Sequence, residues 1–207
     1  MVWWLWRPLA FWYFRLTVEG EEYLPERGGF ILAANHASLL DPILIALVLR
    51  RPVHFLAKQE LFRLPLLGRL LRRVHAIPLD RGRPDRAALR TAVERLKQGN
   101  VIGIFPEGTR SDDGQLQALR GGAALIALQA QVPIVPAVVE GSWRVWPRGR
   151  WWPRRGAIRV RFGAAVSPEF LSKPVPGTAE RSHPVNRRAV EALSMGLAQA
   201  MQSLFTH

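Results

Sequence analysis

The segment NHASLLDP, residues 35–42, contains a histidine and an aspartate whose spacing suits acid–base chemistry. His36 follows a short apolar run, and Asp41 falls in the first turn of the helix predicted after it. Five residues on a regular helix are separated by about 140° around its axis, so the two side chains meet only if His36 stays in the loop. In that arrangement the carboxylate fixes one ring nitrogen and leaves the other as a general base.

The same two residues also have a purely structural interpretation. Ser38 and Asp41 form the S-x-x-D pattern of a capping box, in which the carboxylate binds backbone amides at the start of a helix. His36 would then simply bond to nearby backbone. The spacing alone leaves both interpretations open.

A second segment, IFPEGTRSDDG at residues 104–114, has the composition of a phosphate-binding loop. It follows a predicted strand, and loops at the carboxyl ends of strands build the sites of open α/β sheets. The Arg110 guanidinium can bind a phosphate through two parallel N–H donors, and the backbone amides around Gly108 can donate further hydrogen bonds to it. Lys58 and Arg81 supply further positive charge in other loops. The structural alternative is a tight turn with a surface Arg–Glu contact.

Missing residue types narrow the chemistry. The chain contains no cysteine, which excludes disulfides, thiolate metal sites and a cysteine nucleophile. Its five histidines form neither an HExxH motif nor a pair at ligand spacing. A G-x-S-x-G elbow, the setting of a serine nucleophile in α/β hydrolases, does not occur in the sequence. We therefore expect chemistry that uses no metal ion.

Alternating strand and helix patterns are expected to position these loops. Short apolar runs predict strands at residues 29–35, 53–57, 74–79, 101–105, 132–139 and 157–163. Helices are predicted at residues 38–50, 84–100, 122–131 and 186–204, the second of them with Asp85 as its N-cap and a stop at Gly99. The 207 residues suit one α/β domain, at 21–207 after an N-terminal segment, with a mixed, mostly parallel sheet flanked by helices.

The N-terminal segment, assigned to residues 1–20, begins with an apolar run that is too short to span a bilayer. A spanning helix needs about 20 apolar residues, and this run contains Arg7 and Pro8. A cleaved signal would carry its positive charge before the apolar run and small residues after it, a pattern not seen here. The run's four tryptophans are instead typical of a membrane interface. The alternative is a helix packed on the core.

The other four tryptophans lie in a second, strongly basic segment. Residues 143–161 also hold seven arginines and no acidic residue. Arginine attracts anionic lipid and tryptophan anchors at the interface, but the same mixture suits single-stranded nucleic acid or a solvated loop. The formal net charge of the whole chain is +13, which indicates an anionic partner without selecting one.

Four segments, in order, give the chain a resemblance to a known family. His36 and Asp41 match the H-x4-D motif of the glycerolipid acyltransferases, and AIPLDR at 76–81 looks like their second motif. FPEGTRS at 105–111 is a near-perfect copy of the third motif, and VPIVPAVV at 132–139 is similar to the fourth. Over the greater part of its length, the chain therefore resembles the family of the bacterial lysophosphatidic acid acyltransferase.

The resemblance implies a fold and a role for particular residues. The implied fold is the acyltransferase fold of that family. His36 becomes the general base and Asp41 its orienter. Four residues fall at positions that the family uses to hold the glycerol phosphate headgroup, which are Lys58, Arg81, Glu107 and Arg110. Gly108 and Thr109 are added as substrate-binding residues only because they lie inside the third motif.

By the same resemblance, we expect an acyltransferase of phospholipid synthesis. It would move a fatty acyl group from acyl-CoA or acyl-carrier protein to the free hydroxyl of 1-acylglycerol 3-phosphate, giving phosphatidic acid. The thiol leaves readily from a thioester, and the chain has neither a cysteine nor a G-x-S-x-G elbow, so this reaction would need no cofactor and no covalent enzyme intermediate. Glycerol 3-phosphate or a lyso-aminolipid is the alternative acceptor within this class. The tryptophan and arginine clusters would meet an anionic membrane surface. The expected location is the cytoplasmic face of the cell membrane, peripheral or monotopic.

Two other classes of protein explain the sequence less completely. A basic nucleic-acid-binding module accounts for the charge and the aromatics, but it leaves His36, Asp41 and FPEGTRS without a purpose. A non-catalytic membrane-surface protein with a decayed site is opposed by the intact His36 and Asp41 pair. We therefore expect an enzyme with no nucleic-acid partner.

Overall fold

Seven strands form the centre of the computed structural model, which describes residues 3–80, 85–168 and 186–205. The strands are β1 (Thr17–Glu19), β2 (Phe30–Ala34), β3 (Val53–Lys58), β4 (Ile77–Leu79), β5 (Val101–Ile104), β6 (Ile134–Glu140) and β7 (Arg159–Phe162). Their order in the sheet is β1-β7-β6-β2-β5-β3-β4. The five strands from β6 to β4 run parallel, β7 is antiparallel to β6, and β1 is parallel to β7. The predicted mixed, mostly parallel sheet is confirmed.

Helices flank this sheet and connect its strands. They are α1 (Trp3–Tyr13), α2 (Asp41–Val48), α3 (Pro65–Arg73), α4 (Arg86–Lys97), α5 (Gly122–Ala130), α6 (Ser142–Val145) and α7 (Arg187–Phe205). Short 3₁₀ helices lie at Glu21–Tyr23 and Gln59–Arg63. Because helices carry the crossovers between parallel strands, both faces of the sheet are covered.

The core lies on both sides of the sheet. On one face Ile31 and Ile102 pack with α4, α5 and α7, and on the other Leu32 and Val101 pack with α2. Successive residues of a strand point to opposite faces, so a strand covered on both sides buries every side chain. All five residues of β2 are buried accordingly. This explains why β2 appears in the sequence as a continuous apolar run.

The predicted strands and helices are all found, with bounds that differ by a few residues. The helix expected from residue 38 begins at Asp41, because residues 38–40 form a turn whose amides bond to side chains. The strand expected from residue 74 begins at Ile77, since His75 has a positive φ of 55° that breaks the extended chain. Asp85 caps α4 as predicted, accepting the amide of Ala88 at 2.9 Å.

Three of the strands and α-helices have no counterpart among the predictions. β1 is three residues long and carries an acidic residue, so its sequence resembles a loop. α6 is a single turn after β6. α3 has pairs of leucines separated by glycine and arginine, a spacing typical of an amphipathic helix and a signal that the predictions did not use.

The N-terminal helix packs on the core and leaves part of its surface outside. Phe11 and Phe14 pack against the core cluster that contains α2, whereas Trp12 is exposed. The side chains of residues 3–7, including three of the tryptophans assigned to a membrane interface, lie outside the described part of the chain. Among the described residues, no helix combines the length and the hydropathy that a bilayer crossing requires.

One edge of the sheet gathers the loops that carry the predicted motifs. The parallel strands β2, β3, β5 and β6 all end at this edge, which we call the carboxyl edge. The segment 141–158 leaves β6 there and returns to antiparallel β7 at the same edge. The fold therefore brings His36, residues 105–111 and the basic segment to one side of the molecule.

Candidate active site

His36 leaves the sheet because the residue before it ends the strand pairing. The Asn35 side chain accepts the backbone amide of Val139 at 2.7 Å and donates to the carbonyl of Val139 at 3.2 Å. This side chain completes the ladder between β2 and β6 in place of further backbone bonds. His36 therefore stands in a loop at the carboxyl edge, as its spacing from Asp41 requires.

The histidine and the aspartate meet. His36 Nδ1 lies 3.0 Å from Asp41 Oδ2, and the aspartate is completely buried while part of the imidazole reaches solvent. A carboxylate oxygen only accepts hydrogen bonds, so Nδ1 carries the hydrogen in this pair. The opposite ring nitrogen, Nε2, is then the one with a lone pair to receive a proton.

Asp41 also performs the structural role that the sequence left open. Its Oδ2 accepts the backbone amides of Ala37 and Ser38, each at 2.7 Å. Its Oδ1 is buried and has no hydrogen-bond partner among the described residues. One oxygen thus holds the start of α2 and orients the imidazole at once, so capping and orientation are parts of one arrangement.

Aromatic rings fix the plane of the imidazole. The Phe105 ring stacks on His36 with the centroids 4.1 Å apart and the planes inclined by 21°. The Phe55 ring of β3 also stacks with Phe105, with the centroids 5.6 Å apart. The stacked ring covers one face of the imidazole and restricts its rotation. Sequence reasoning missed both phenylalanines, although Phe105 lies within the third motif.

The loop at 105–111 forms hydrogen bonds with both the backbone amide and the backbone carbonyl of His36. Glu107 Oε1 accepts the amide of His36 at 2.7 Å, and the Ser111 amide donates to the carbonyl of His36 at 2.7 Å. The other oxygen of Glu107 accepts the amide of Gln117 at 3.1 Å. The first and third motifs are therefore joined directly through the catalytic candidate.

Glu107 is buried, and this changes its titration. Burial raises the pKa of Glu107 from its ordinary 4.5 to about 7, against the two backbone hydrogen bonds that favour its ionised form. Both carboxylate oxygens are occupied by backbone amides. The headgroup role expected for Glu107 stays a prediction, while its bonds show what it holds in this structure.

We expect Glu107 to make stability depend on pH in a defined direction. The pKa of Glu107 in the folded protein, about 7, exceeds the ordinary 4.5. The contribution of this carboxyl group to the free energy of unfolding is therefore complete below pH 4.5 and is lost as the pH rises through 7. Urea unfolding of wild type and Glu107→Gln between pH 4 and 8 measures this. The stability of wild type relative to the variant should fall by about 2 kcal/mol across that window, after allowance for solvent screening. A constant difference would contradict the assignment.

Two arginines lie together beside the pair. Arg110 is partly buried, and its pKa is lowered by that burial and by the neighbouring Arg148. Arg148 donates to the Arg110 carbonyl at 3.4 Å and lies 3.2 Å from Asp112. Two guanidinium groups close to one another can attract an anion, and the Asp112 carboxylate neutralises part of their charge. Sequence reasoning placed Arg148 only in the basic segment, because nothing local connects it with residue 110.

The remaining headgroup candidates differ in position. Lys58 ends β3 at the carboxyl edge, where its half-exposed ammonium lies 3.2 Å from Glu60. Gly108 has a φ of 75°, and a Cβ there would come 2.8 Å from the Arg120 guanidinium. Thr109 is exposed. Arg81 lies outside the described residues.

An apolar cavity of about 280 Å³ opens next to the phenylalanine stack. Its wall includes Leu56, Ile104, Phe105 and Ile126, with Arg120 among the lining residues. Phe105 therefore has the imidazole on its ring and also lines the cavity. No cluster of three or more histidine, aspartate or glutamate side chains suited to a metal ion occurs within residues 3–80, 85–168 and 186–205.

Comparison with known proteins extends these observations to the whole chain. A family model described as Acyltransferase matches residues 15–140. A protein of Bacillus subtilis named 1-acyl-sn-glycerol-3-phosphate acyltransferase is 37% identical over 190 residues, which are 91% of this chain and 87% of that protein. A protein of the same name from Limnanthes alba is 33% identical over 86% of this chain, which spans 58% of that longer protein.

A solved structure supports the same conclusion. The crystal structure of the 1-acyl-sn-glycerophosphate acyltransferase from Thermotoga maritima has a TM-score of 0.69 and 30% sequence identity, covering 94% of this chain and 76% of that one. The family match at 15–140 includes the His36–Asp41 pair and the loop that holds it. The expected fold and resemblance are confirmed, and this chain belongs to the acyltransferase family.

Proposed function

We propose that this chain transfers a fatty acyl group from acyl-CoA or acyl-carrier protein to the free hydroxyl of 1-acylglycerol 3-phosphate, forming phosphatidic acid. The observation that carries the proposal is the His36–Asp41 pair, which a loop with a phosphate-binding composition holds in place. The names of its relatives in Bacillus subtilis and Limnanthes alba support the same acceptor.

In the proposed reaction, His36 Nε2 takes the proton of the acceptor hydroxyl as its oxygen attacks the thioester carbon. The new C–O bond forms, the C–S bond breaks, and the thiolate receives the proton from the imidazolium. Asp41 holds Nδ1–H and stabilises the imidazolium while it exists. The thiol is a good leaving group with a pKa of about 8.5, so no enzyme nucleophile is needed.

The donors for the tetrahedral oxyanion are best sought in the 105–111 loop. The amides of Ala37, Ser38 and Leu40 already donate to side chains at the start of α2. The Gly108 amide donates to the Phe105 carbonyl. We propose that the amides of Thr109 and Arg110 meet the developing negative charge, because they belong to the loop that also holds the His36 backbone.

Charge and shape around the pair suit a phosphorylated lipid. Arg110 and Arg148 supply the positive charge for a phosphate, with Lys58 and Arg81 as further candidates. The cavity beside Phe105 offers an apolar wall for part of a fatty chain. A polar headgroup and an apolar chain would therefore find different surfaces on either side of His36.

A membrane surface is the proposed source of the acceptor. Trp12, Trp151 and Trp152, which we call the tryptophan surface, are exposed by 62%, 89% and 79%. The Tyr13 hydroxyl donates to the Pro153 carbonyl, and the Arg155 guanidinium lies 4.7 Å from the Trp12 ring centroid. Such aromatic and cationic groups suit an anionic interface, which we propose is the cytoplasmic face of the cell membrane.

The function is tested by an acyl-transfer assay that crosses acceptors with donors. Purified protein is incubated with 1-acylglycerol 3-phosphate, glycerol 3-phosphate or a lyso-aminolipid, each with acyl-CoA and with acyl-carrier protein. We expect phosphatidic acid from the first acceptor and much slower product formation from the others. Faster turnover of either alternative acceptor would replace the proposed substrate, and no turnover with any pair would reject the function.

We expect Arg110→Ala to weaken binding of the phosphorylated acceptor selectively. A charge-assisted hydrogen bond contributes about 1.5–3 kcal/mol, so KM for 1-acylglycerol 3-phosphate should rise about 10- to 100-fold, with little change for the donor. Steady-state kinetics with each substrate varied in turn measure this. Arg90→Ala, at an exposed position of α4, should leave both constants unchanged. Equal effects of Arg110→Ala on both substrates would argue against headgroup recognition.

A further inference from the structure

The helix α3 presents leucines to solvent that the core does not use. Leu66 is 80% exposed, Leu70 is 49% exposed, and Leu64 just before the helix is 50% exposed. Residues four apart lie on the same face of a helix, so Leu66 and Leu70 form one strip. We call these three side chains the leucine surface. Scattered single leucines are ordinary on a protein, but a contiguous strip on one element marks an interaction site.

The rest of α3 explains why these leucines point outward. Gly68 is the buried residue of α3, and a Cβ there would lie 2.3 Å from the Phe62 carbonyl oxygen. The helix is thus pressed through Gly68 against the 3₁₀ helix Gln59–Arg63. This contact fixes the rotation of α3 about its axis, and the fixed rotation leaves Leu66 and Leu70 in solvent.

Arginines border the leucine surface. Arg69 and Arg73, three residues after Leu66 and Leu70 respectively, are exposed and lie on the adjoining strip of α3. Arg72 is also exposed and donates to the Phe62 carbonyl at 3.1 Å. The sequence from residue 61 to 79 contains no acidic residue. An apolar strip beside an unopposed cationic strip is complementary to an anionic lipid interface.

The topology places α3 on the opposite side of the active site from the tryptophan surface. The 3₁₀ helix Gln59–Arg63 follows the end of β3, so α3 starts at the carboxyl edge. The tryptophan surface meets the same edge through the segment 141–158, which joins β6 to β7. Six spacings of about 4.8 Å separate the outermost strands, so the sheet is about 29 Å wide with β2 in its middle.

We propose that α3 is a second membrane-docking element, whose leucines enter the interface of an anionic bilayer while its arginines contact lipid phosphates. The proposal rests on the proposed function in that the acceptor is a membrane lipid. An acidic protein partner would use the arginines, but it would not require apolar contacts at the same edge as exposed tryptophans. Contact at both flanks would face His36 towards the lipid headgroups from which the acceptor comes.

Vesicle sedimentation tests the leucine surface. Full-length wild type and the double variant Leu66→Glu with Leu70→Glu are mixed with vesicles of phosphatidylglycerol and phosphatidylcholine. Because each buried leucine contributes strongly to partitioning, the double variant should bind at least tenfold more weakly. Met195→Glu, at an exposed position of α7, is the matched control and should bind as wild type does. Unchanged binding of the double variant would overturn the proposal.

The arginine strip gives a second measurement. Arg69→Gln with Arg73→Gln should weaken binding to phosphatidylglycerol vesicles by about fivefold for each charge, and hardly at all for pure phosphatidylcholine. The difference should shrink at high salt. The same loss on both types of vesicle would contradict a role for these arginines with anionic lipid.

Turnover separates docking from catalysis. With short-chain substrates that dissolve without a bilayer, the leucine variant should turn over as wild type does, whereas with vesicle-embedded acceptor it should be slower. A wild type that binds vesicles through α3 but acylates nothing would reject the proposed function and leave docking intact. Equal loss on soluble and embedded substrates would overturn docking.

Other occupants of the leucine surface predict different results. If turnover falls only with acyl-carrier protein while vesicle binding is unchanged, α3 docks the donor protein and the proposal is wrong. If wild type is a dimer by analytical ultracentrifugation and Leu66→Glu makes it monomeric, the surface belongs to a second copy of the chain. A monomeric wild type whose vesicle binding depends on Leu66 supports the proposal.

Discussion

Replacing His36 by alanine is expected to lower turnover of 1-acylglycerol 3-phosphate by about 10²- to 10⁴-fold, the contribution of a positioned general base. His36 is the group whose ring nitrogen is set by Asp41 and whose backbone is held by the third-motif loop. No other described side chain shares both constraints. Because Asp41 keeps its bonds to the amides of Ala37 and Ser38, the loop should remain folded in the variant.

The histidine prediction is measured by initial rates, with thermal unfolding and vesicle binding as checks on the fold. His75→Asn is a suitable control, because His75 is exposed and its positive φ is one that asparagine tolerates. The control should retain most of the wild-type rate. Substantial residual turnover in His36→Ala would remove His36 as the base, provided that the unfolding temperature is close to that of wild type.

Asp41→Asn should be nearly as damaging to turnover, with a loss of about 10²- to 10⁴-fold and a much smaller change in stability. Asparagine offers one oxygen that can still accept the amides of Ala37 and Ser38, so the start of α2 is retained. It carries no negative charge and cannot stabilise the imidazolium. Initial rates and urea unfolding of the same preparations measure the two effects.

A double variant decides how Asp41 acts. If the carboxylate works through His36, then His36→Ala combined with Asp41→Asn should be no slower than His36→Ala alone. Losses that multiply would show that Asp41 contributes independently. A single Asp41→Asn variant that loses stability but keeps its rate would leave capping as the whole role of this residue.

The parts of the fold that could be predicted are those in which a local pattern coincides with a tertiary role. β2 is a continuous apolar run because both faces of the sheet are covered, and the N-cap residue Asp85 marks the start of α4 in the sequence. β1 was missed because three residues with an acidic end contain too little pattern. α3 was missed because its leucines do not belong to the core that the predictions sought.

The contacts of the site also differ in how far they could be predicted, according to the separation of their residues along the sequence. His36 and Asp41 are five residues apart, so a strand end and a helix start suffice to bring them together. The bond between the His36 amide and Glu107 spans 71 residues, and it depends on β2 and β5 being neighbours in the sheet. The contact of Tyr13 with Pro153 spans 140 residues. Residues so far apart in the sequence share no local pattern from which their contact could be predicted.

The two hydrogen bonds that residues 107 and 111 make with the His36 backbone have a consequence for redesign. The proposed base and the third-motif loop are joined by these two bonds, so a change of headgroup preference that alters residue 107 or 111 would also displace His36. Arg148 belongs to a different connection, between β6 and β7, and its side chain meets the third-motif loop at the Arg110 carbonyl. In the same segment, Trp143 donates to the Asp112 carbonyl and the Trp146 carbonyl accepts the Ser38 hydroxyl, so the segment as a whole is bonded to the site. The Arg148 side chain makes neither of the bonds that hold the His36 backbone, and substitutions intended to accept new headgroups therefore belong at residue 148.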